Sequence, residues 1–203
     1  MLLPGVIAKP GRVHGLGLFA TETIPTGTVV WHPCKRCPTF SVDDLSSLGK
    51  TQQKQLDEYV YYLEDGRAIL PCTMVFLLNH SCEASILDYG LDFGVAVRDI
   101  VAGEELTQDY RTFANDPDWG VKCFCGADDC AGIINPAKPP SAELAAKWTA
   151  KVTNALKFVH CVPQPLHTSL TDSSSAYHSC NDPGFILDPS QRSVRKHPVS
   201  SLK

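Results

Sequence analysis

Residues 76–130 contain the part of the sequence that decides the fold, and three short segments stand out within them. They read Leu77-Leu78-Asn79-His80-Ser81-Cys82, then Gly103-Glu104-Glu105-Leu106-Thr107-Gln108-Asp109-Tyr110, then Cys123-Phe124-Cys125-Gly126-Ala127-Asp128-Asp129-Cys130. The last segment has the spacing C-x-C-x4-C, and Cys82 adds a fourth thiol, which is enough for a tetrahedral zinc site. Because two cysteines separated by one residue cannot easily bridge to each other, a metal is a better interpretation than a disulfide framework.

The composition is that of a folded, soluble domain, and it argues against several classes of function. The chain has 203 residues and a net charge of -4. It therefore lacks the excess of basic residues that is typical of nucleic-acid-binding proteins. It is long enough to bury a core and fits one main domain. We see no signal peptide, and no stretch approaches the roughly 20 apolar residues of a membrane span. We therefore expect an intracellular protein, in the nucleus or cytoplasm, without a membrane or direct nucleic-acid partner; the oligomeric state stays open.

Besides the C-x-C-x4-C segment and Cys82, the sequence has a second pair of closely spaced cysteines, for which metal binding is less well supported. The number of cysteines in the chain, nine, is odd and argues against a complete set of disulfides, and in a reducing compartment thiols bind metals more often. Cys34 and Cys37 have the spacing C-x2-C, but a zinc site would need further ligands, and only Cys72 and His32 are candidates. For this pair the sequence favours a loop with two free thiols over a second zinc site.

Short β-like runs separated by turn residues predict a mainly β (α+β) fold. Such runs occupy residues 5–8, 17–21 and 28–31, and more of them lie between residues 59 and 97. Ser41 begins a polar, helix-permissive stretch and has the pattern of a helix N-cap.

The C-terminal third of the chain predicts one helix and a tail. An amphipathic helix over about 142–159 is predicted from apolar residues that recur every three or four positions, namely Leu144, Trp148, Val152, Leu156 and Val159. Residues 161–203 lack such periodicity, and we expect them to be disordered or loosely attached.

Four motifs, in this order, resemble the SET-domain protein-lysine methyltransferases that have a post-SET zinc motif. They are Gly15-Leu16-Gly17-Leu18-Phe19-Ala20 and the three segments quoted above. The resemblance implies a SET-domain fold of several small sheets around a pseudoknot-like crossing, with a post-SET zinc segment and a C-terminal helix. It divides the chain into a SET domain over 1–115, a post-SET zinc-binding segment over 116–135, the C-terminal helix over 136–160 and the tail over 161–203.

The same resemblance implies an S-adenosylmethionine-dependent enzyme that methylates the side-chain amine of lysine in a protein substrate, for example a histone. The implied cofactor-binding residues are Gly15, Leu16, Gly17, Asn79, His80 and Phe124. Glycine lets a backbone approach a ligand closely, and the Asn79 amide can both donate and accept hydrogen bonds. Phe124 is expected to cover the adenine.

Tyr110 matches the catalytic tyrosine of the family. Methyl transfer requires a neutral lysine, although the pKa of a free lysine is about 10.4. A narrow apolar channel that ends near a positive sulfonium disfavours the ammonium form through desolvation and repulsion. Tyr110 would then position the amine rather than act as a strong base. The resemblance also implies that Cys82, Cys123, Cys125 and Cys130 bind Zn2+ and hold the post-SET segment over the active centre.

Two departures from the family pattern leave alternatives open. Glu83-Ala84-Ser85 follows Cys82 where the family often has Pro-Asn, and Gln108 occupies a position where Phe or Tyr usually helps to set the number of methyl groups. The degree of methylation is therefore open, and so is the choice of Tyr61 or Tyr62 as a second channel tyrosine. The departures also allow a catalytically silent SET module that acts as a zinc-stabilised protein-interaction domain.

Overall fold

The computed structural model describes residues 1–11, 15–34, 36–57, 59–62, 66–113, 120–135 and 137–166. Within these ranges the chain forms mostly short strands, which confirms the predicted mainly β (α+β) class. The strands are β1 (Val6–Pro10), β2 (Leu16–Ala20), β3 (Val29–Trp31), β4 (Thr39–Phe40), β5 (Tyr61–Tyr62), β6 (Ala68–Ile69), β7 (Asn79–His80), β8 (Ile86–Leu87), β9 (Gly94–Ala96), β10 (Glu105–Gln108), β11 (Val121–Lys122) and β12 (Ile133–Ile134). The helices are α1 (Val42–Ser47), α2 (Lys50–Asp57) and α3 (Ala142–Leu156), and Met74–Leu77 and Tyr110–Thr112 form 3-10 turns. Among these described helices, none has the length and apolar character that crossing a membrane requires.

The largest sheet is organised around β10, which pairs with strands from separate parts of the chain. Among the described strands the order is β1-β2-β10-β8-β9-β3, with β7 also paired to β10. Glu105 and Leu106 pair antiparallel with β2, whereas Thr107 and Gln108 pair parallel with β7. Gln108 also pairs with Ile86 of β8. One strand of four residues therefore joins the N-terminal hairpin to two later segments.

The main core packs this sheet against α3. The side chains of Leu18, Ile86 and Leu106 are fully buried, and Trp148 and Val152 of α3 belong to the same cluster. Burial of such side chains is the main favourable contribution to folding, at about 1.5–3 kcal/mol for each large apolar residue.

Helix α3 begins where the sequence predicts and ends slightly earlier. The hydroxyl of Ser141 accepts a hydrogen bond from the Leu144 N–H at 3.2 Å, which caps the first turn. The helix ends at Leu156, three residues before the predicted end, and the turns that follow still bury Val159.

A second, smaller unit is inserted between β3 and β7. It consists of the sheet β4-β6-β5 with helices α1 and α2, and its core contains Leu45, Tyr62 and Ala68. Ser41 caps α1 as predicted, because its side chain accepts from the Asp44 N–H. Leu48 has an extended backbone, with φ -74° and ψ 143°, and this interruption divides the predicted helical stretch into two helices.

The predicted tail begins too early, because residues 164–166 pack against the main sheet. The Gln164 Oε1 atom accepts from the Val29 N–H at 2.9 Å, and its Nε2 atom donates to the Gly27 carbonyl at 2.9 Å. Leu166 is 5% exposed and belongs to the main core. The remainder of the predicted tail, residues 167–203, lies outside the described residues.

Leu166→Ala is expected to lower the free energy of unfolding by about 2–5 kcal/mol, the usual cost of truncating a buried leucine. Deletion of residues 167–203 is expected to change stability little, because their sequence lacks apolar periodicity. Chemical denaturation would measure both, with Val101→Ala as the control at a side chain that is 58% exposed. If the deletion destabilises the protein as much as Leu166→Ala does, the boundary at residue 166 is wrong.

Candidate functional site

Two separate segments meet at the centre of the main sheet and bring the second and third motifs together. Asn79 pairs with Thr107, and His80 pairs with Gln108. The Ser81 N–H donates to the Gln108 carbonyl at 3.2 Å and extends this contact by one residue. The side chains around this crossing form the candidate site.

Asn79 lies beside the first glycine motif. Its Nδ2 atom donates to Glu105 Oε1 at 2.7 Å and to the Leu16 carbonyl at 3.3 Å. A Cβ atom on Gly17 would lie 2.2 Å from the same Glu105 oxygen, so a side chain there would displace the Glu105 carboxylate from its contact with Asn79. A Cβ atom on Gly15 would have no described atom within 4 Å, so there is open space beside that backbone.

Tyr110 is held by two hydrogen bonds at the other side of the crossing. Its hydroxyl donates to the Leu78 carbonyl at 2.6 Å, and its backbone N–H donates to His80 Nδ1 at 3.1 Å. Burial raises the pKa of the Tyr110 phenol to about 12. The phenol is therefore protonated at neutral pH, which suits a positioning group and does not suit a base.

Aromatic rings line up from Tyr110 toward the inserted unit. Tyr110 and Phe113 have ring centroids 5.4 Å apart, Phe113 and Tyr61 are 6.0 Å apart, and Tyr61 stacks on Trp31 at 5.3 Å. Tyr62, in contrast, is buried in the core of the insert and its hydroxyl donates to Asp57. Of the two tyrosines considered from the sequence, Tyr61 is the one that joins this aromatic group.

Gln108 lies at the base of the same group. It is 1% exposed, and its Oε1 atom accepts a hydrogen bond from Trp31 Nε1 at 3.1 Å. Its Nε2 atom is buried and has no hydrogen-bond partner among the described residues. A donor without a partner at this depth is costly, and it would gain from an acceptor brought in by water or a ligand.

A buried carboxylate connects the site to the C-terminal helix. Asp109 is 1% exposed and accepts from Arg111 Nε at 2.8 Å and Arg111 Nη2 at 2.7 Å. Its Oδ2 atom also accepts from Trp148 Nε1 at 3.1 Å. The hydrogen bonds from Arg111 to Asp109 raise the pKa of the guanidinium, which stabilises the charged pair.

The structure brings the four predicted zinc ligands together. The sulfur atoms of Cys82, Cys123, Cys125 and Cys130 all lie within 4.8 Å of one another, and those of Cys82 and Cys123 are 3.9 Å apart. Zinc held at about 2.3 Å from each of four thiolates places the sulfurs about 3.8 Å apart, so this donor set fits the metal.

The protonation properties of these thiols also suit a metal. Burial raises the pKa of Cys82 and of Cys123, so a cation is needed to hold them as thiolates. Burial would raise the pKa of Cys125 as well, but hydrogen bonds from the backbone of Ala127 and Cys82 and from the neighbouring thiols lower it to about 6.

His80 links the cysteine cluster to Tyr110. Because its Nδ1 atom accepts from the Tyr110 N–H, the neutral ring has its proton on Nε2. That Nε2 atom lies 3.4 Å from the Cys82 sulfur, within reach for a weak hydrogen bond. One imidazole therefore contacts both the candidate catalytic residue and a candidate zinc ligand. Phe124, between two of the cysteines, is 63% exposed.

Several residues of the site were not predicted from the sequence as site residues. Glu105 and Asp109 lie inside the third motif, where an acidic residue at each end of a buried strand could have drawn attention to them. Trp31, Phe113 and Arg111 carry no such pattern, because their roles depend on contacts between distant parts of the chain.

Comparison with known proteins agrees with this geometry. Residues 15–111 match the family model of the SET domain. These residues therefore form a SET domain, and the small sheets around the crossing of β7 and β10 are its SET-domain fold.

Curated relatives of the chain are named histone-lysine N-methyltransferases. The H3 lysine-4 specific protein of Schizosaccharomyces pombe is 30% identical over 137 residues, which cover 62% of this chain and 15% of the relative. TRX1 of Oryza sativa subsp. japonica is 28% identical over 135 residues, covering 61% of this chain and 13% of the relative. ASHR3 of Arabidopsis thaliana is 37% identical over 81 residues, covering 36% and 16%. The chain thus spans less than a sixth of the length of these relatives.

Cys123→Ser is expected to remove one zinc equivalent per chain, because it breaks the set of four thiolates. Cys161→Ser is the matched control, since Cys161 is exposed and lies outside the cluster. Elemental analysis of the freshly purified proteins would compare their zinc content. The same zinc content in Cys123→Ser and the parent chain would show that this cluster does not hold the metal.

Proposed function

We propose that this SET domain transfers a methyl group from S-adenosylmethionine to the side-chain amine of a lysine in a protein substrate. One observation carries the proposal. The Tyr110 hydroxyl donates to the carbonyl of Leu78, the residue immediately before Asn79. The candidate catalytic tyrosine and the candidate cofactor-binding asparagine therefore meet at one peptide group, where a methyl donor and an amine would have to meet.

The residues on the cofactor side suit a ligand with an amino-acid end and an adenosine end. The backbone at Gly15 and Leu16 would receive the amino-acid end, since no described atom crowds Gly15, and Asn79 with Glu105 would offer polar contacts beside it. When bound, S-adenosylmethionine supplies an electrophilic methyl group on a positively charged sulfonium. The backbone of His80 would lie along the adenine, and the exposed ring of Phe124 would cover it.

On the lysine side, the chain would select the neutral amine and align it. The aromatic rings of Trp31, Tyr61 and Phe113 provide apolar walls beside Tyr110. Desolvation between such walls lowers the pKa of a lysine and favours the form with a free lone pair. Because the Tyr110 hydroxyl donates its proton to the Leu78 carbonyl, its oxygen would accept a hydrogen bond from the amine N–H and leave the nitrogen lone pair free, and much of the rate would come from alignment.

Zinc would act structurally in this mechanism. The cluster joins Cys123, Cys125 and Cys130 of the post-SET segment to Cys82, which lies two residues after the Asn79–His80 strand. Loss of the metal would therefore loosen Phe124 and the His80 ring together, and cofactor affinity would decrease.

A histone is the first substrate to test, since the relatives are named histone-lysine N-methyltransferases. We propose a protein partner that presents a lysine, in the nucleus or cytoplasm, with no nucleic-acid or membrane partner in the reaction. Methylation of a panel of histones and other proteins, followed by mapping of the modified lysines by mass spectrometry, would identify the substrate and the number of methyl groups.

Tyr110→Phe is expected to lower the turnover rate by roughly 100-fold or more, because it removes a positioning contact at the reacting centre. Cofactor affinity should change little, since Asn79 and the backbone at Gly15 remain. Steady-state kinetics on the mapped substrate and calorimetric titration of the cofactor would separate the two effects.

Asn79→Ala is the comparison variant, because it should affect cofactor affinity more than the turnover rate. It removes the hydrogen bonds to Glu105 and to the Leu16 carbonyl, so cofactor binding should weaken more than turnover at saturation. Near-normal turnover of Tyr110→Phe would mean that the tyrosine only packs, and the assignment of the active centre would be wrong.

A catalytically silent interaction module is the second candidate, and Gln108 is the observation that favours it. The buried amide places an unpartnered donor beside the aromatic group, where the family usually has an aromatic ring. Titration with labelled S-adenosylmethionine distinguishes the two candidates, since the enzyme must bind the cofactor. The absence of cofactor binding by the folded protein would favour the silent module.

A further inference from the structure

A second group of cysteines comes together at the base of the inserted unit. Cys34 and Cys37 follow β3, and Cys72 follows β6, 38 residues after Cys34. In the folded chain the Cys34 sulfur lies 3.7 Å from the Cys37 sulfur and 3.5 Å from the Cys72 sulfur. All three sulfurs are within 4.8 Å of one another. The sequence favoured two free thiols here because it could not show that Cys72 returns to the same place.

These separations match a shared metal better than a disulfide. A disulfide bond joins sulfurs at about 2.05 Å. Two thiolates on one tetrahedral zinc ion lie about 3.8 Å apart, since each Zn–S bond is about 2.3 Å. The distance between Cys82 and Cys123 in the first cluster is 3.9 Å, so the two clusters have similar spacing.

The backbone around Cys34 and Cys37 supports thiolates in the same way as in the first cluster. The Cys34 N–H points to the Cys37 sulfur at 3.4 Å, and the backbone of Arg36 donates to the Cys34 sulfur. A hydrogen bond of 2.9 Å from the Cys37 N–H to the Cys34 carbonyl closes the turn. In the first cluster the Ala131 N–H points to the Cys82 sulfur at 3.3 Å. Amide donors of this kind stabilise charged sulfur more than neutral thiol.

We propose that Cys34, Cys37 and Cys72 bind a second zinc ion, with a water molecule in the fourth position. Binding displaces the thiol protons to solvent, so the site consists of three thiolates on a divalent cation. Within the described part of the chain, His32 and the acidic residues lie outside the group of donors that share this spacing. The proposal rests on the cysteine geometry and does not depend on the methyl-transfer function.

The position of this site gives it a consequence for the candidate lysine channel. Cys37 lies two residues before β4 and Cys72 lies three residues after β6, so the metal closes the insert at both ends. β4 and β5 both pair with β6, and β5 includes Tyr61, which stacks on Trp31. A metal at this place would hold the Tyr61 ring against Trp31 and thereby fix one wall of the channel.

Thiol reactivity in the intact, folded chain tests the proposal directly. Cys72 and Cys161 are both exposed, so accessibility alone predicts that iodoacetamide modifies them at similar rates. If Cys72 binds zinc, its modification should be slower than that of Cys161 by roughly tenfold or more, because the metal occupies the nucleophilic sulfur. Addition of a chelator should speed the modification of Cys72 and leave that of Cys161 unchanged, and a Cys72 rate that does not respond to the chelator would overturn the proposal. Peptide mass spectrometry would follow each site, and equal rates before the chelator is added would also overturn the proposal.

Metal stoichiometry provides the second measurement. Native mass spectrometry is expected to show two zinc ions in the parent chain and in Cys161→Ser, and one in Cys72→Ser. Cys34→Ser should behave like Cys72→Ser, and circular dichroism would check that both variants are folded. Two zinc ions in folded Cys72→Ser, or one in the parent chain, would overturn the assignment. The loss of two hydrogens in denatured, unreduced parent peptides that contain these cysteines would identify a disulfide and would also overturn it.

Discussion

The pairing of β10 is the constraint on which the rest of this structure depends. Its four residues form hydrogen-bonded pairs with β2 on one side and with β7 and β8 on the other. Leu106 is completely buried at the centre of this arrangement. Because successive side chains of a strand point to opposite faces, a shift of one residue in β10 would move Leu106 out of the core. The same shift would separate Asn79 from Glu105 and misplace Tyr110, so packing and the candidate site depend on one register.

Polar contacts connect β10 and its neighbouring residues to helix α3 and to the first cysteine cluster. The Asp109 carboxylate follows β10 directly and is paired with Arg111 and Trp148, and Trp148 belongs to α3. Removal of one partner from a buried charged pair typically costs about 3–5 kcal/mol, so this contact connects the position of α3 strongly to the end of β10. His80 makes the corresponding link to the first cysteine cluster, because its two ring nitrogens face the Tyr110 N–H and the Cys82 sulfur. The site is thus connected to the C-terminal helix and to the first cysteine cluster through neighbouring residues.

How much of this arrangement the sequence predicts depends on where its contacts lie along the chain. The first cysteine cluster was predictable from its characteristic spacing, whereas the crossing was predicted only from the resemblance to the SET-domain family, because threaded arrangements are rare. The aromatic group was not predictable, since Trp31, Tyr61 and Phe113 come from segments whose approach depends on the pairing of several strands. From the sequence Cys72 could be named only as one candidate partner of Cys34, since its return requires the antiparallel pairing of β4 with β6. The composition around Gln164 and Leu166 is typical of loose segments. It therefore did not predict the hydrogen bond of Gln164 to Val29 or the burial of Leu166 in the main core.

The two cysteine clusters lie in the β11–β12 region and the inserted unit, which have small hydrophobic cores of their own. The pair β11 and β12 has only two residues in each strand, and isolated pairs of this size are unstable in water. The inserted unit has three buried apolar residues in its own core, Leu45, Tyr62 and Ala68, among the residues described. Small units with so little core commonly depend on a metal or on cross-links for stability. The first cluster lies next to His80, and the second lies at the two ends of the insert that contains Tyr61. If both clusters bind zinc as proposed, the large central core would stabilise the crossing, and the two metals would stabilise the β11–β12 pair and the inserted unit.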